Sequence, residues 1–84
     1  MNKVTLKFKS RMENEAFARI ATVSFLAPLN PTFEEMMEIK TIVSEAVTNA
    51  IVHGYKFKSG TVYIGVKYYS DRTVVIEIKD MLLC

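Results

Sequence analysis

Residues 44–54 read Ser-Glu-Ala-Val-Thr-Asn-Ala-Ile-Val-His-Gly, and they close the longest helical pattern in the chain. Apolar residues recur there at spacings of three and four, which predicts one amphipathic helix. The apolar positions are Met36, Ile39, Ile42, Val43, Ala46, Val47, Ala50 and Ile51. Thr32 and Glu35 have the spacing of a capping box, which predicts the start of this helix, and Gly54 predicts its end.

Three further stretches alternate apolar and polar residues with a period of two, which predicts half-buried strands. The first contains Val4, Leu6 and Phe8 near the amino terminus, and the other two cover residues 62–69 and 73–79. The short polar stretch at residues 70–72 predicts a hairpin between the last two strands. Residues 55–60 are mostly polar and predict a loop.

A shorter helix is predicted between the first strand and Pro28. Ser10 and Glu13 have the capping-box spacing, which predicts a helix start near Arg11, and the residue before a proline disfavours the helical region. The apolar spacing predicts an inner face made of Phe17, Ile20, Ala21, Ser24 and Phe25.

The element order is therefore strand-helix-helix-strand-strand. Helices and antiparallel strands in this order pack as helices on one face of a sheet. The predicted fold class is an α+β two-layer sandwich forming a single domain.

Composition excludes several classes of protein. The 84 residues are 50% hydrophobic and 11% aromatic, which excludes a disordered chain. The net charge is +2, with no block of lysine and arginine, so direct nucleic-acid binding is not expected. The apolar runs are a few residues long, against roughly 18 needed to span a membrane, so no span is expected. The single cysteine, Cys84, predicts no internal disulfide, and a cytoplasmic location is expected. An unrelated RNA-binding α+β domain stands as the last-ranked alternative.

Glu45, Asn49 and His53 are spaced four apart, so the helical pattern places them on one edge. A carboxylate can act as a general base, and an amide oxygen suits a hard cation such as Mg²⁺. An ordinary solvated helix edge explains the same spacing and is the more common case, so the spacing leaves both explanations open.

Residues 44–55 resemble the N-box of the GHKL (Bergerat) ATP-binding superfamily. Residues 10–20, Ser-Arg-Met-Glu-Asn-Glu-Ala-Phe-Ala-Arg-Ile, and residues 38–43 are similar to the amino-terminal half of one branch, the bacterial anti-sigma F factors. These are anti-sigma factor serine-protein kinases. The resemblance implies a partial GHKL fold over residues 1–80, followed by a non-matching apolar tail at 81–84.

The resemblance also implies a set of residues that handle ATP and Mg²⁺. Glu45 would be the catalytic base that activates a serine hydroxyl. Asn49 would coordinate Mg²⁺ and thereby the ATP phosphates, and His53 would lie beside those phosphates. Asp80 would hydrogen-bond the adenine amino group.

The implied partners are a sporulation sigma factor and an anti-anti-sigma factor. Relatives bind the sigma factor and phosphorylate a serine of the anti-anti-sigma factor. Glu15 and Arg19 match the surface that contacts these partners. A homodimer is expected as well, because unpaired sheet edges favour pairing between chains.

The sequence departs from the family after Asp80. The family continues with a glycine-bearing box, whereas residues 81–84 read Met-Leu-Leu-Cys. Glycines let the backbone approach a nucleotide closely, so weak or absent ATP binding by a truncated chain is expected. The alternatives are a catalytically inactive binding or dimerisation module, and a relative of the general-stress anti-sigma kinases.

Overall fold

The computed structural model describes residues 1–54 and 60–82. Three strands, β1 (Asn2–Lys9), β2 (Gly60–Tyr68) and β3 (Val74–Leu82), form an antiparallel sheet in the order β1-β2-β3. Two helices, α1 (Glu15–Leu26) and α2 (Phe33–Asn49), come between β1 and β2 along the chain. The α+β two-layer sandwich that the element order predicts is confirmed. No helix in residues 1–54 or 60–82 has the length and apolar character needed to cross a membrane.

The core lies between the helices and one face of the sheet. β2 is the central strand, and its Val62, Ile64 and Val66 are fully buried. The cross-strand register places Leu6, Ile64 and Ile78 in one row, so the inward positions of all three strands form a continuous apolar surface. The helices bury Ala18, Thr22, Leu26, Val43, Val47, Ala50 and Ile51.

α2 begins where its sequence predicts, but the α-helix ends at Asn49, before the predicted glycine. Thr32 Oγ1 accepts a 3.1 Å hydrogen bond from the Glu35 backbone N–H, and Glu35 Oε1 accepts one of 2.8 Å from the Thr32 N–H. This capping box is therefore confirmed. After Asn49 the helix widens into a π-helical segment, Ala50–Gly54, which ends at the predicted glycine. The predicted 55–60 loop lies outside the described residues except for Gly60, which begins β2.

The start of α1 differs from the prediction. A 3₁₀ turn covers Met12–Asn14, and α1 begins only at Glu15. The predicted capping box between Ser10 and Glu13 is wrong, because Ser10 Oγ instead accepts a 3.1 Å hydrogen bond from the Gly60 N–H. Ser10 thus links the end of β1 to the start of β2.

The face of α1 that is buried against the core also differs from the predicted one. Phe17 and Ile20 are 54% and 60% exposed, and Ser24 is exposed too, whereas Ala18, Thr22 and Leu26 are buried. The α1 sequence contains two adjacent stripes that could each face the sheet, and the one made of Ala18, Thr22 and Leu26 is buried. The buried Thr22 hydroxyl is satisfied, since it donates a 2.8 Å hydrogen bond to the Ala18 carbonyl. On α2, Ile42 was likewise predicted inside and is 55% exposed.

Substitution on the two stripes of α1 distinguishes the two faces. Leu26→Ala is expected to lower the free energy of unfolding by about 2–5 kcal/mol, because it leaves a cavity at a fully buried site. Ile20→Ala is expected to change it by no more than about 0.5 kcal/mol, because that side chain is largely solvated. Urea denaturation measures both, and an Ile20→Ala loss as large as that of Leu26→Ala would restore the face predicted from the sequence.

The α2 cap creates a pH dependence. The Thr32 backbone N–H, followed by the Arg72 side chain at 3.2 Å, holds the pKa of Glu35 below its ordinary value. A carboxyl group with a lowered pKa contributes stability above its unfolded-state pKa and loses that contribution as the pH falls through its folded-state pKa.

We therefore expect the urea midpoint to fall between about pH 6 and about pH 3, and to fall less steeply in Glu35→Gln. Glu34→Gln, at the neighbouring exposed position, is the matched control. A Glu35→Gln profile that overlays the unsubstituted protein over this range would contradict the role of the cap.

Candidate functional site

The exposed edge of α2 carries two of the residues in the polar stripe. Glu45 and Asn49 are both exposed, and the α-helical geometry between them separates their Cα atoms by about 6 Å along the axis. Buried Val43 and Val47 lie on the opposite side of the same turns and attach this part of α2 to the core. The stripe therefore presents a carboxylate and an amide to solvent from a rigid support.

The third member of the stripe, His53, lies in the π-helical segment. A π-helix bonds residue i to i+5 and winds more widely than an α-helix, so the simple four-residue spacing ends at Asn49. π-helical turns occur frequently at functional sites. The His53 side chain itself lies outside the described residues.

A shallow groove runs between α1 and α2. Its lining comes from both helices, namely Glu15, Arg19, Met37, Lys40, Thr41, Ser44 and Glu45. The groove brings the two residues predicted to contact partners, Glu15 and Arg19, onto the same surface as Glu45. The two sets are far apart in sequence, and only the pairing of the helices places them together.

One carboxylate connects the two helices in this groove. Glu15 Oε1 accepts a 2.6 Å hydrogen bond from Ser44 Oγ and lies 3.3 Å from Arg19 Nε. The Glu15 side chain is only 13% exposed. Arg19 Nε is buried and lies near the carboxylate without a well-directed hydrogen bond, so this contact is an ion pair rather than a true hydrogen bond.

The remaining charges of the groove are free to meet a partner. Lys40 and Glu45 make no ion pair within the described part of the chain. The Arg19 side chain is 35% exposed. The surface therefore offers a guanidinium, an ammonium and a carboxylate, which suits a polar protein surface or the hydroxyl of an approaching side chain.

Asp80 lies on the third strand. Its backbone pairs with Val62, and Val62 pairs with Phe8, so Asp80 occupies a register position of the sheet face that carries the helices. β3 also contacts the π-helical segment. The strand predicted to carry an adenine ligand and the segment that contains His53 are thus neighbours, although the Asp80 side chain lies outside the described residues.

The donor set on α2 fits a metal ion held mainly by a nucleotide. Among the side chains described, no three His, Cys, Asp or Glu residues group together as a metal site. Within α2, Asn49 is the residue that offers an exposed amide oxygen. Mg²⁺ commonly keeps several waters and binds few protein ligands together with substrate phosphates, so one exposed oxygen of this kind is a suitable ligand.

A second concavity lies on the opposite, outer face of the sheet. Gly65 leaves open space there, and Lys7 Nζ lies 5.8 Å from the centroid of the Tyr63 ring. The lining residues are Lys3, Thr5, Tyr63, Gly65, Lys67, Val75, Glu77 and Lys79. Because the sheet separates it from Glu45 and Asn49, it is a different surface.

Sequence reasoning missed four residues of the groove lining, Met37, Lys40, Thr41 and Ser44. Ser44 stands directly before Glu45, yet nothing in the local sequence signals its bond to Glu15. The contact joins residues 29 positions apart, so it depends on how α1 and α2 are placed side by side.

Comparison with known families identifies one match over most of the chain. The sequence profile of the histidine kinase-like ATPase domain matches residues 8–81. This range includes every residue singled out above as a candidate for catalysis, metal binding or partner contact.

Individual curated proteins are similar to this chain over nearly its whole length. The Anti-sigma F factor of Priestia megaterium is 50% identical over 80 residues, which are 94% of this chain and 54% of that protein. The Anti-sigma F factor of Clostridium acetobutylicum is 51% identical over 79 residues, again 94% and 54%. That of Bacillus subtilis is 50% identical over 80 residues, with the same two shares. The chain thus spans about half the length of the curated relatives it matches.

Proposed function

The chain belongs to the histidine kinase-like ATPase domain family, and from that premise we propose that it supplies the partner-binding and catalytic helices of an anti-sigma factor. The observation that carries this proposal is the groove between α1 and α2, where Glu15 and Arg19 share one surface with Glu45. Membership of this family contradicts the alternative of an unrelated RNA-binding domain.

The first part of the proposed function is capture of a sporulation sigma factor. The relatives at about half identity are named Anti-sigma F factor, which supports a sigma factor as partner. Arg19 is the principal contact in this proposal. Its guanidinium is partly exposed, and arginine is enriched among the residues that dominate protein interfaces.

The second part is phosphorylation of a serine on an anti-anti-sigma factor. Glu45 is exposed and unpaired among the described residues, so its carboxylate is accessible to a hydroxyl that enters the groove. In this role Glu45 accepts the proton of the attacking serine. Phosphoryl transfer depends mainly on positioning and charge stabilisation, and α2 supplies the positioning because it is anchored in the core.

The cofactor in this proposal is ATP with Mg²⁺. Asn49 would hold the metal through its amide oxygen, His53 would lie beside the phosphates, and Asp80 would bind the adenine amino group. When bound, Mg²⁺ neutralises charge on the transferring phosphoryl group.

Further parts of the proposal concern assembly and location. The described sheet has β1 and β3 at its edges, and exposed edges favour pairing between chains, which supports a homodimer. A cytoplasmic location follows from the proposed partners, which act on transcription. A binding module without catalysis and a relative of the general-stress anti-sigma kinases are the alternatives, and the two experiments below separate binding from nucleotide use.

Arg19→Ala is expected to weaken capture of purified sigma F factor of Bacillus subtilis by about tenfold or more, because a central arginine contact is lost. Biolayer interferometry with the immobilised chain measures the dissociation constant. Arg72→Ala is the control, because Arg72 lies outside the groove in an ion pair with Glu35. Equal affinity of the Arg19→Ala variant and the unsubstituted chain would remove Arg19 from the interface.

Asn49→Ala is expected to abolish the Mg²⁺-dependent part of ATP binding, because it removes the amide oxygen offered to the metal. Isothermal calorimetry with and without Mg²⁺ measures this part. Asn2→Ala, on β1, is the control. A Mg²⁺-dependent part of binding that persists in Asn49→Ala would contradict the role of Asn49.

A further inference from the structure

Ser44 links the two halves of the groove, and nothing in the family match or in the relatives' names assigns it a role. We propose that Ser44 is a positioning residue that holds Arg19 in its binding orientation through the carboxylate of Glu15. This inference rests on the proposed function, because it takes Arg19 as a partner contact.

The contacts form a chain of three side chains. Ser44 Oγ donates a 2.6 Å hydrogen bond to Glu15 Oε1, and the same oxygen lies 3.3 Å from Arg19 Nε. Glu15 and Arg19 are one turn apart on α1, whereas Ser44 comes from α2. An isolated Glu–Arg pair on one helix is weak and samples several rotamers. The hydroxyl from the second helix restricts the carboxylate to one position.

The orientation of Arg19 depends on that carboxylate. The Glu15 side chain is mostly buried, at 13% exposure, while Arg19 remains 35% exposed. Arg19 Nε lies buried beside the carboxylate, and Arg19 also lines the open groove. Immobilising a long side chain opposes binding, and a side chain that is already held in place binds more tightly. Ser44 therefore affects affinity without touching the partner.

The same groove contains a matched control. Thr41 lies one turn before Ser44 and also lines the groove, but its hydroxyl donates a 2.9 Å hydrogen bond to the Met37 carbonyl of its own helix. Removing that hydroxyl leaves Glu15 and Arg19 unchanged. Thr41→Ala and Ser44→Ala thus differ in whether the lost hydroxyl bridges the helices.

Affinity for sigma F factor of Bacillus subtilis tests the proposal. Ser44→Ala is expected to weaken binding about three- to tenfold. Ser24→Ala, at an exposed serine of α1 that does not line the groove, is the affinity control and is expected to leave binding within about twofold. Ser44→Thr, which keeps a hydroxyl, is expected to recover part of the loss. In an Arg19→Ala background, Ser44→Ala is expected to have no additional effect, because the residue that it positions is gone. Additive losses would overturn the proposal.

A second measurement requires no partner and separates failure of this inference from failure of the proposed function. The steady-state ¹⁵N–¹H nuclear Overhauser effect of the Arg19 Nε–H reports the mobility of that side chain. We expect it to fall in Ser44→Ala and to stay unchanged in Thr41→Ala. An unchanged value in Ser44→Ala overturns the positioning role even where sigma binding is intact. A lowered value in a chain that binds no sigma factor supports the positioning and refutes only the proposed function.

Discussion

The burial of β2 is the constraint on which the rest of the structure depends. Val62, Ile64 and Val66 are completely buried, and a central strand of a three-stranded sheet can be covered on one face only by elements that lie across it. A single helix is about 10 Å wide with its side chains. Three strands spaced about 4.8 Å apart span about 10 Å between the axes of the outer strands, and more once the width of those strands is included. One helix therefore leaves part of this face uncovered. Both helices must therefore pack on this face, and they must pack beside each other.

The groove is a consequence of that arrangement. Where two helices lie side by side on a sheet face, their solvent-facing sides leave a groove between them. Glu15 and Ser44 meet at the bottom of this groove, and their hydrogen bond satisfies a carboxylate that the packing partly removes from water. A partly buried carboxylate left without a donor is unfavourable, so this hydrogen bond also favours the packing of α1 against α2.

The sequence predicts the elements of this protein better than their faces. Periods of two and of three to four place all three strands and both helices, because burial of one side of each element is a local property of the chain. The prediction fails for Phe17 and Ile20 because α1 has two stripes that could each face the sheet, and only its neighbours decide which one is buried. The resemblance singled out Glu15 and Arg19, whereas the bridge from Ser44 is absent from any local pattern because it joins two helices.

α2 and the π-helical segment that follows it differ in helical geometry. Around Glu45, buried Val43 and Val47 attach an ordinary α-helix to the core, so a base at that position is held in one place relative to the groove. From Ala50 onward the helix widens into π-helical geometry, and Asn49 stands at the junction. π-helical turns carry a cost that packing must offset, and Ala50 and Ile51 remain buried there to do so. The proposed catalytic base thus lies on the regular part of the helix, and the proposed metal ligand lies where its geometry changes.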